Sequence, residues 1–466
     1  MTMTDTCAAV STAIGKAGIS VIRVSGDESV SIAEKIFVPA NGKKLTEISA
    51  NTATFGTIYG KNGEKIDTAL VTVFKAPRSY TGEDTVEISC HGSVVGTSMV
   101  LGAILEAGAR QALPGEFTKR AFINGKLDLT QAEAVADLLD AENADQLKLF
   151  SAQLDGGLGK KIKACSDKIT EMLAAVYAYI DYPDEDMSDM SDDELESAVN
   201  EVKNEVTRLA ASYSSGTAIT KGVKTAIVGA PNTGKSTFFN LLAGFDRAIV
   251  TDIAGTTRDV ITESVNVAGI KLLISDTAGI RDTEDVVEKI GVERSKCALE
   301  ECGLCIAVFD GSRKMTDDDV SFAEKISFLA KNKNVVAIIN KTDIAETNLL
   351  SETKKQLENA GFENIILMSA KDGNGKSEFE DIIRKFYPEA ENGIKSGQII
   401  TNARQYAAVS KALDSLERAL EAMKNLTRDM AGLDLEEALE ALLEADGRQV
   451  SEQIVSTIFS RFCVGK

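Results

Sequence analysis

The chain has no tryptophan, one histidine and only six prolines in 466 residues. So little proline excludes proline-rich linkers and collagen-like or mucin-like arrays. No apolar run approaches the roughly 18–20 residues that a bilayer-spanning helix needs. The N-terminus lacks the basic-then-apolar pattern of a secretory signal. Seven cysteines are scattered and odd in number, so no disulfide framework is expected and a reduced, cytoplasmic compartment is. An excess of positive charge is missing too. The net charge is −20: residues 1–125 are neutral, 126–215 carry −12, 216–393 carry −6 and 394–466 carry −2. Without a basic face, an autonomous grip on nucleic acid is disfavoured.

What is present is 44% apolar and 26% charged residues, the balance of a soluble chain that buries cores. The length predicts about three domains. The first 125 residues read as strand-rich, with Ile19–Val24, Thr52–Tyr59 and Ala69–Phe74 as strands. From Thr130 the period becomes helical, with Thr130-x-x-Glu133 as a capping box. Asp181–Glu196 holds nine acids and no base, and is expected to be a solvated loop running into a helix over about 193–211. Between 223 and 386 strands alternate with amphipathic helices: Thr225–Val228, Leu272–Ser275, Cys305–Phe309, Val335–Ile339 and Ile365–Met368. That alternation predicts a doubly wound, mostly parallel sheet. Helices return after 401. The economical architecture is an α/β domain (216–393) inserted into an all-helical domain made of 126–215 and 394–466, preceded by an α+β domain (1–125).

Gly229-Ala230-Pro231-Asn232-Thr233-Gly234-Lys235-Ser236 has the spacing of a phosphate-binding loop, between the strand Thr225–Val228 and a helix over Thr237–Leu242. Backbone N–H groups there converge on phosphate oxygens, Lys235 reaches the β/γ-phosphates and the Ser236 hydroxyl ligates Mg²⁺. Asp276-Thr277-Ala278-Gly279 ends a strand near the metal. Asn340-Lys341-Thr342-Asp343 ends another. A carboxylate at Asp343 accepts paired hydrogen bonds from the guanine N–H and amino group, which adenine cannot offer, so GTP is the expected nucleotide. Ser369-Ala370-Lys371 ends the last strand, where backbone N–H groups meet the guanine oxygen. The order of these motifs, all at strand ends, carries the inference. Thr251-Asp252-Ile253-Ala254-Gly255-Thr256-Thr257 is the expected switch segment, with Thr257 as a second Mg²⁺ ligand. Where Ras-like enzymes carry a water-orienting glutamine this chain has Ile280, so Glu288, rather than Glu284 or Asp285, is expected to orient the attacking water. No arginine finger is evident. Asn232 and the oxygens of Thr251, Ile253 and Thr256 are ligands suited to K⁺, which would supply the missing charge.

These residues resemble the TrmE–Era–EngA group of GTPases. Further motifs extend the resemblance along the whole chain: Ile22-Arg23-Val24-Ser25-Gly26, Tyr80-Thr81-Gly82-Glu83-Asp84, Pro114-Gly115-Glu116-Phe117, Gly125-Lys126-Leu127-Asp128-Leu129 and the terminal Phe462-Cys463-Val464-Gly465-Lys466. Together they are similar to the MnmE (TrmE) family of bacterial tRNA-modification GTPases. One departure is Ser11-Thr12-Ala13, where that family has Ala-Thr-Pro. The resemblance implies an N-terminal domain that binds a tetrahydrofolate one-carbon donor (5-formyl- or methylene-tetrahydrofolate) and pairs two chains. It implies a flavin-dependent partner, MnmG (GidA), that holds much of the tRNA, and an aminomethyl-type group placed at position 5 of the wobble uridine. It implies folate contacts at Arg23, Glu87, Lys126 and Lys466, with Arg23 clamping a tail carboxylate and Glu87 reading the pterin. The tail must then fold back onto the N-terminal domain. For Cys463 two readings stand: a packed side chain near a helix end, or a thiol facing the folate or the base. His91 is expected to be structural, and Cys302-x-x-Cys305 to be core packing. A regulatory GTPase that assembles ribonucleoprotein particles is the competing function.

Overall fold

The computed structural model describes residues 5–181, 190–244, 263–274, 301–331, 333–425, 428–460 and 462–466. The chain forms two compact units, Met1–Ala136 with Leu443–Lys466, and Asp137–Leu442.

The first unit is built on a seven-stranded sheet in the order β3-β4-β5-β6-β2-β1-β7. The strands are β1 (Cys7–Val10), β2 (Ile19–Ser25), β3 (Phe37–Pro39), β4 (Ala53–Tyr59), β5 (Lys65–Phe74), β6 (Thr85–His91) and β7 (Arg110–Gln111). Neighbours are antiparallel except β1 and β7. Period-2 alternation decides the faces. Ile22, Val24, Ile58, Val71, Val86 and Ile88 point inward under the helices Ser29–Ile36 and Val94–Glu106. Arg23, Glu87, Phe55 and Leu70 alternate with them on the opposite face, where Phe55 and Leu70 are register partners and both exposed. The three expected strands are present, and β5 begins four residues earlier than its apolar cluster.

The helix Leu129–Leu139 corrects the expected cap. Asp128, not Thr130, stands at its start: the Asp128 carboxylate accepts from Gln131 N at 2.8 Å and Thr130 Oγ1 at 2.6 Å, and Gln131 Oε1 accepts from Asp128 N. Two overlapping boxes compete two residues apart. The one that leaves Thr130 buried prevails.

The second unit holds a six-stranded sheet, β13-β12-β11-β8-β10-β9. Its strands are β8 (Val223–Val228), β9 (Glu263–Val267), β10 (Ile270–Ile274), β11 (Leu304–Asp310), β12 (Asn334–Asn340) and β13 (Ile365–Leu367). Five are parallel, as a doubly wound domain requires, and β9 runs antiparallel to β10. The connection is the tight turn Ala268-Gly269, both residues at positive φ. The hairpin is fastened to a helical segment: Asn266 Nδ2 donates to Asp145 Oδ2 at 3.0 Å, and Lys271 pairs with Glu142. The helix Asp192–Thr220, capped by Ser191 and Glu194, runs straight into β8. After the α/β portion the helix Ala403–Asn425 returns along it, with Tyr213 and Tyr406 stacked at 4.3 Å. The α/β sheet is therefore an insertion between helices that pack on each other. Among the described residues no helix is long and apolar enough to cross a membrane.

Candidate functional site

The segment 229–234 leaves β8 and turns into the helix Lys235–Ala243, whose N-cap Gly234 has φ 94. A side chain at Gly234 is excluded twice: by that φ, and by Asn340 Nδ2, which a Cβ would meet at 2.1 Å. Asn232 is also left-handed, at φ 62. The Lys235 ammonium lies 2.9 Å from Gly229 O and 2.8 Å from Ala230 O. Burial pushes its pKa down. A half-buried cation held, among the described residues, by loop carbonyls at a helix N-terminus is a seat for an anion of high charge. The adjacent Ser236 and Thr237 are exposed on the first turn of the helix, where Ser236 would meet a metal ion beside that anion.

The second nucleotide motif is joined to the first by one side chain. Asn340, at the end of β12 and 2% exposed, donates Nδ2 to Thr233 O at 3.0 Å and accepts from Ala370 N at 2.9 Å through Oδ1. One amide thus holds three of the sequence-predicted segments in register. Asp343 is exposed, and its carboxylate lies 3.0 Å from the Ser369 hydroxyl. That hydroxyl is equally near Asp372 and donates to one of them at a time. Lys371 is exposed beside them. Lys341 is turned away to Asp310. Thr251, Asp252, Ile253, Ala254, Gly255, Thr256, Thr257, Asp276, Thr277, Ala278, Gly279, Ile280 and Glu288 lie outside the described residues. Their flanking elements, β9 and β10, are in place. Among the described residues there is no cluster of three or more His, Cys, Asp or Glu that could hold a metal ion. The expected metal ligands are hydroxyls, an amide and carbonyls instead.

A different chemistry gathers in the first unit. Arg23 and Glu87 are register partners on β2 and β6. Arg23 Nε and Nη2 donate to Glu87 Oε1 at 2.9 and 2.7 Å. The guanidinium lies 4.9 Å from the Tyr80 ring centroid and 5.5 Å from that of Phe117. The pair expected to read opposite ends of a folate therefore binds itself. Arg23 Nη1 and Glu87 Oε2 take no hydrogen bond among the described residues. Phe117 N donates to Lys466 O at 3.1 Å, Gly115 N to Cys463 O at 3.3 Å, and Val464 bridges to Pro114. The tail does fold back, and its backbone makes the contacts. The Lys126 ammonium lies on Pro77 O at 3.1 Å. The Cys463 side chain is exposed.

Sequence reading missed the charges beneath this cluster. Arg120 and Glu116 are each 1% exposed. Arg120 donates to Glu83 Oε2 at 2.9 Å, Glu116 Oε1 at 2.8 Å and Asp5 Oδ1 at 3.0 Å, while Arg110 holds Glu116 Oε2 at 2.8 Å. Burial alone would raise the Glu116 carboxyl. The Arg110, Leu113 N–H and Arg120 hydrogen bonds overcome it and hold the pKa at about 2. Glu116 and Glu83 stood inside quoted motifs, but their partners Asp5 and Arg120 gave no local signal. His91 is exposed and hydrogen-bonds Asp67 through Nδ1 at 2.8 Å. Cys302 and Cys305 are buried core residues, and burial pushes the Cys305 thiol up to about 12.

Residues 6–126 match the family description "GTP-binding protein TrmE N-terminus", and residues 129–463 match "MnmE helical domain". A protein named tRNA modification GTPase MnmE from Clostridioides difficile is 41% identical over 100% of both chains. One of the same name from Thermoanaerobacter pseudethanolicus is 40% identical over 99% of both. A solved structure of Aquifex aeolicus Era bound to GDP·AlF4⁻ is 28% identical, covering 41% of this chain and 65% of that one, with a TM-score of 0.28.

Proposed function

The chain belongs to the MnmE family of tRNA-modification GTPases, and from that premise we propose that it couples GTP hydrolysis to the placing of a carboxymethylaminomethyl-type group at position 5 of the wobble uridine, as a cytoplasmic homodimer acting with a flavin-dependent partner of the MnmG kind. The observation that carries the reading is Lys235: a half-buried ammonium resting on two carbonyl oxygens, ready to exchange them for phosphate oxygens. Asn340 positions the phosphate loop against the segment that would meet guanine, and Asp343 would accept the paired base hydrogen bonds. Ser236 and Thr257 would hold Mg²⁺, which supplies charge neutralisation at the phosphates. Asn232, Thr251, Ile253 and Thr256 would hold K⁺, which would supply positive charge at the phosphates in the place of an arginine finger. Glu288 would orient water. Glu288→Ala should then slow turnover by about 100-fold with nucleotide affinity nearly intact, because the contact matters mainly in the transition state.

The Arg23–Glu87 pair favours modification over ribonucleoprotein assembly, because assembly needs no small-molecule donor. A 5-formyltetrahydrofolate offers a tail carboxylate to Arg23 and adjacent N–H donors to Glu87. Lys126 and Lys466 would add charge. The deciding experiment is mass spectrometry of tRNA wobble nucleosides from a deletion strain. The wild-type gene should restore the modified uridine and Lys235→Ala should not. Restoration by Lys235→Ala, or no change on deletion, overturns the proposal.

A further inference from the structure

Lys341 stands in left-handed backbone at φ 65, an uncommon state for a residue with a side chain. Its peptide is held there by Ile344 N donating to Lys341 O and Thr342 N donating to Met368 O, both at 3.2 Å. Its ammonium lies 2.7 Å from Asp310 Oδ2. Asp310 ends β11 and is the register partner of Asn340 on β12. The Asp310 side chain is 10% exposed. Its other oxygen accepts from Ser312 N at 2.9 Å and Ser312 Oγ at 2.6 Å. Burial raises the Asp310 carboxyl pKa, but Lys341 and Ser312 outweigh it and hold the group below the usual carboxylate range. One carboxylate oxygen is thus aimed by Ser312, and the other is delivered to Lys341.

We propose that Asp310 is a positioning residue for guanine: it pins the Lys341 ammonium to the end of β11, so that the methylene stem rather than the charge faces the base. This rests on reading residues 340–343 as the base-binding segment. A long lysine stem loses rotamer freedom when it is ordered. Restraining it before the nucleotide arrives removes that cost from binding. Neutralising Lys341 also leaves Lys235 as the cation of the phosphate loop, so the two lysines do not compete for one anion.

The test uses the full-length protein and mant-GDP fluorescence. Asp310→Asn should weaken GDP binding about tenfold and raise KM for GTP in step, with kcat falling less than twofold. Asp310→Glu should recover most of the affinity. Lys341→Met keeps the stem and removes the charge that needs pinning. In that background Asp310→Asn should have no further effect on affinity. An equal loss in both backgrounds overturns the proposal, as does a loss confined to kcat. If Asp310→Asn fails to fold, Asp310→Ser, which also removes the carboxylate, decides the same question in the two backgrounds. Asp343→Asn should exchange preference for GTP for preference for XTP. Failure of that exchange refutes the base-binding reading itself, and is distinguishable from any result at Asp310.

Discussion

Lys235 and Arg23 are both cations at candidate ligand sites, and they are kept in opposite ways. Lys235 rests on carbonyl oxygens, which give up a cation readily to a phosphate. Arg23 is already paired with a carboxylate and laid across two aromatic rings. The first arrangement is made almost wholly of backbone from one short segment. It holds a strong unspent charge, fit for a polyanion. The second is made of side chains from segments far apart in the sequence, and its ion pair is neutral before any ligand arrives. A ligand there must offer both an acid and a donor to replace what it displaces, and that requirement selects for a molecule with two different ends. On the proposed reading, one region would bind by charge and the other by exchange.

The largest break in this contrast is Lys235→Ala. Phosphate release should fall by about three orders of magnitude, since the lost charge acts where negative charge is greatest. Activity within tenfold of wild type would deny the unspent charge its role. The next concerns the frame under Arg23. Glu116→Ala strips the buried Arg120 of one of its three carboxylate partners, leaving Glu83 and Asp5, and should cost about 2–3 kcal/mol in thermal or denaturant unfolding. The pH dependence has a definite sign. Glu116 is near its ordinary 4.5 when unfolded and at about 2 when folded, so its contribution is complete above pH 4.5 and is lost as pH falls toward 2. Melting temperatures of wild type and Glu116→Gln, taken from pH 6 to 3, should converge toward the acid end. Curves that stay parallel refute the assignment.

Glu87→Ala comes third. Calorimetry with 5-formyltetrahydrofolate should show affinity reduced about 10–100-fold, because a partner of both Arg23 and the ligand is gone. GTP turnover should be unchanged. Equal losses in both would mean that the two regions are not separate in chemistry. The smallest effect is expected at Lys126, which like Lys235 lies on a carbonyl but is exposed. Water screens it, so Lys126→Ala should weaken folate binding only about threefold. A loss as large as that of Glu87→Ala would show that exposure does not separate the two lysines.

The same contrast explains what was legible in the sequence. Residues 229–236 form their site among themselves, so spacing alone revealed it. Asn340, Asp343 and Ser369 were legible because each ends a strand of one parallel sheet, where position along the chain maps onto position in space. The pairing of Arg23 with Glu87 depends on β6, which went unread although Val86, Ile88 and Cys90 alternate with Glu87 and Ser89. The Asp5–Glu116–Arg120 network joins residues more than a hundred positions apart, and no periodicity records such a meeting. β9 was hidden because its turn is Ala268-Gly269 rather than an asparagine-glycine pair. The cap at Asp128 was misread because two overlapping boxes obey the same rule, and burial of Thr130 chooses between them.

The close approach of Gly234 to Asn340 has a consequence for how this site can change over generations. Any side chain at 234 collides with the Asn340 amide, and loss of that amide strands Thr233 O and Ala370 N. Neither position can be altered first without harm, so no mutational path of tolerated single steps leads through the pair. Asp343 is under no such lock: its carboxylate meets a hydroxyl that has Asp372 as a second acceptor. The local packing therefore leaves the side chain that would choose the base free to change and fixes the one that holds the loop, so base choice and phosphate grip are separable by substitution.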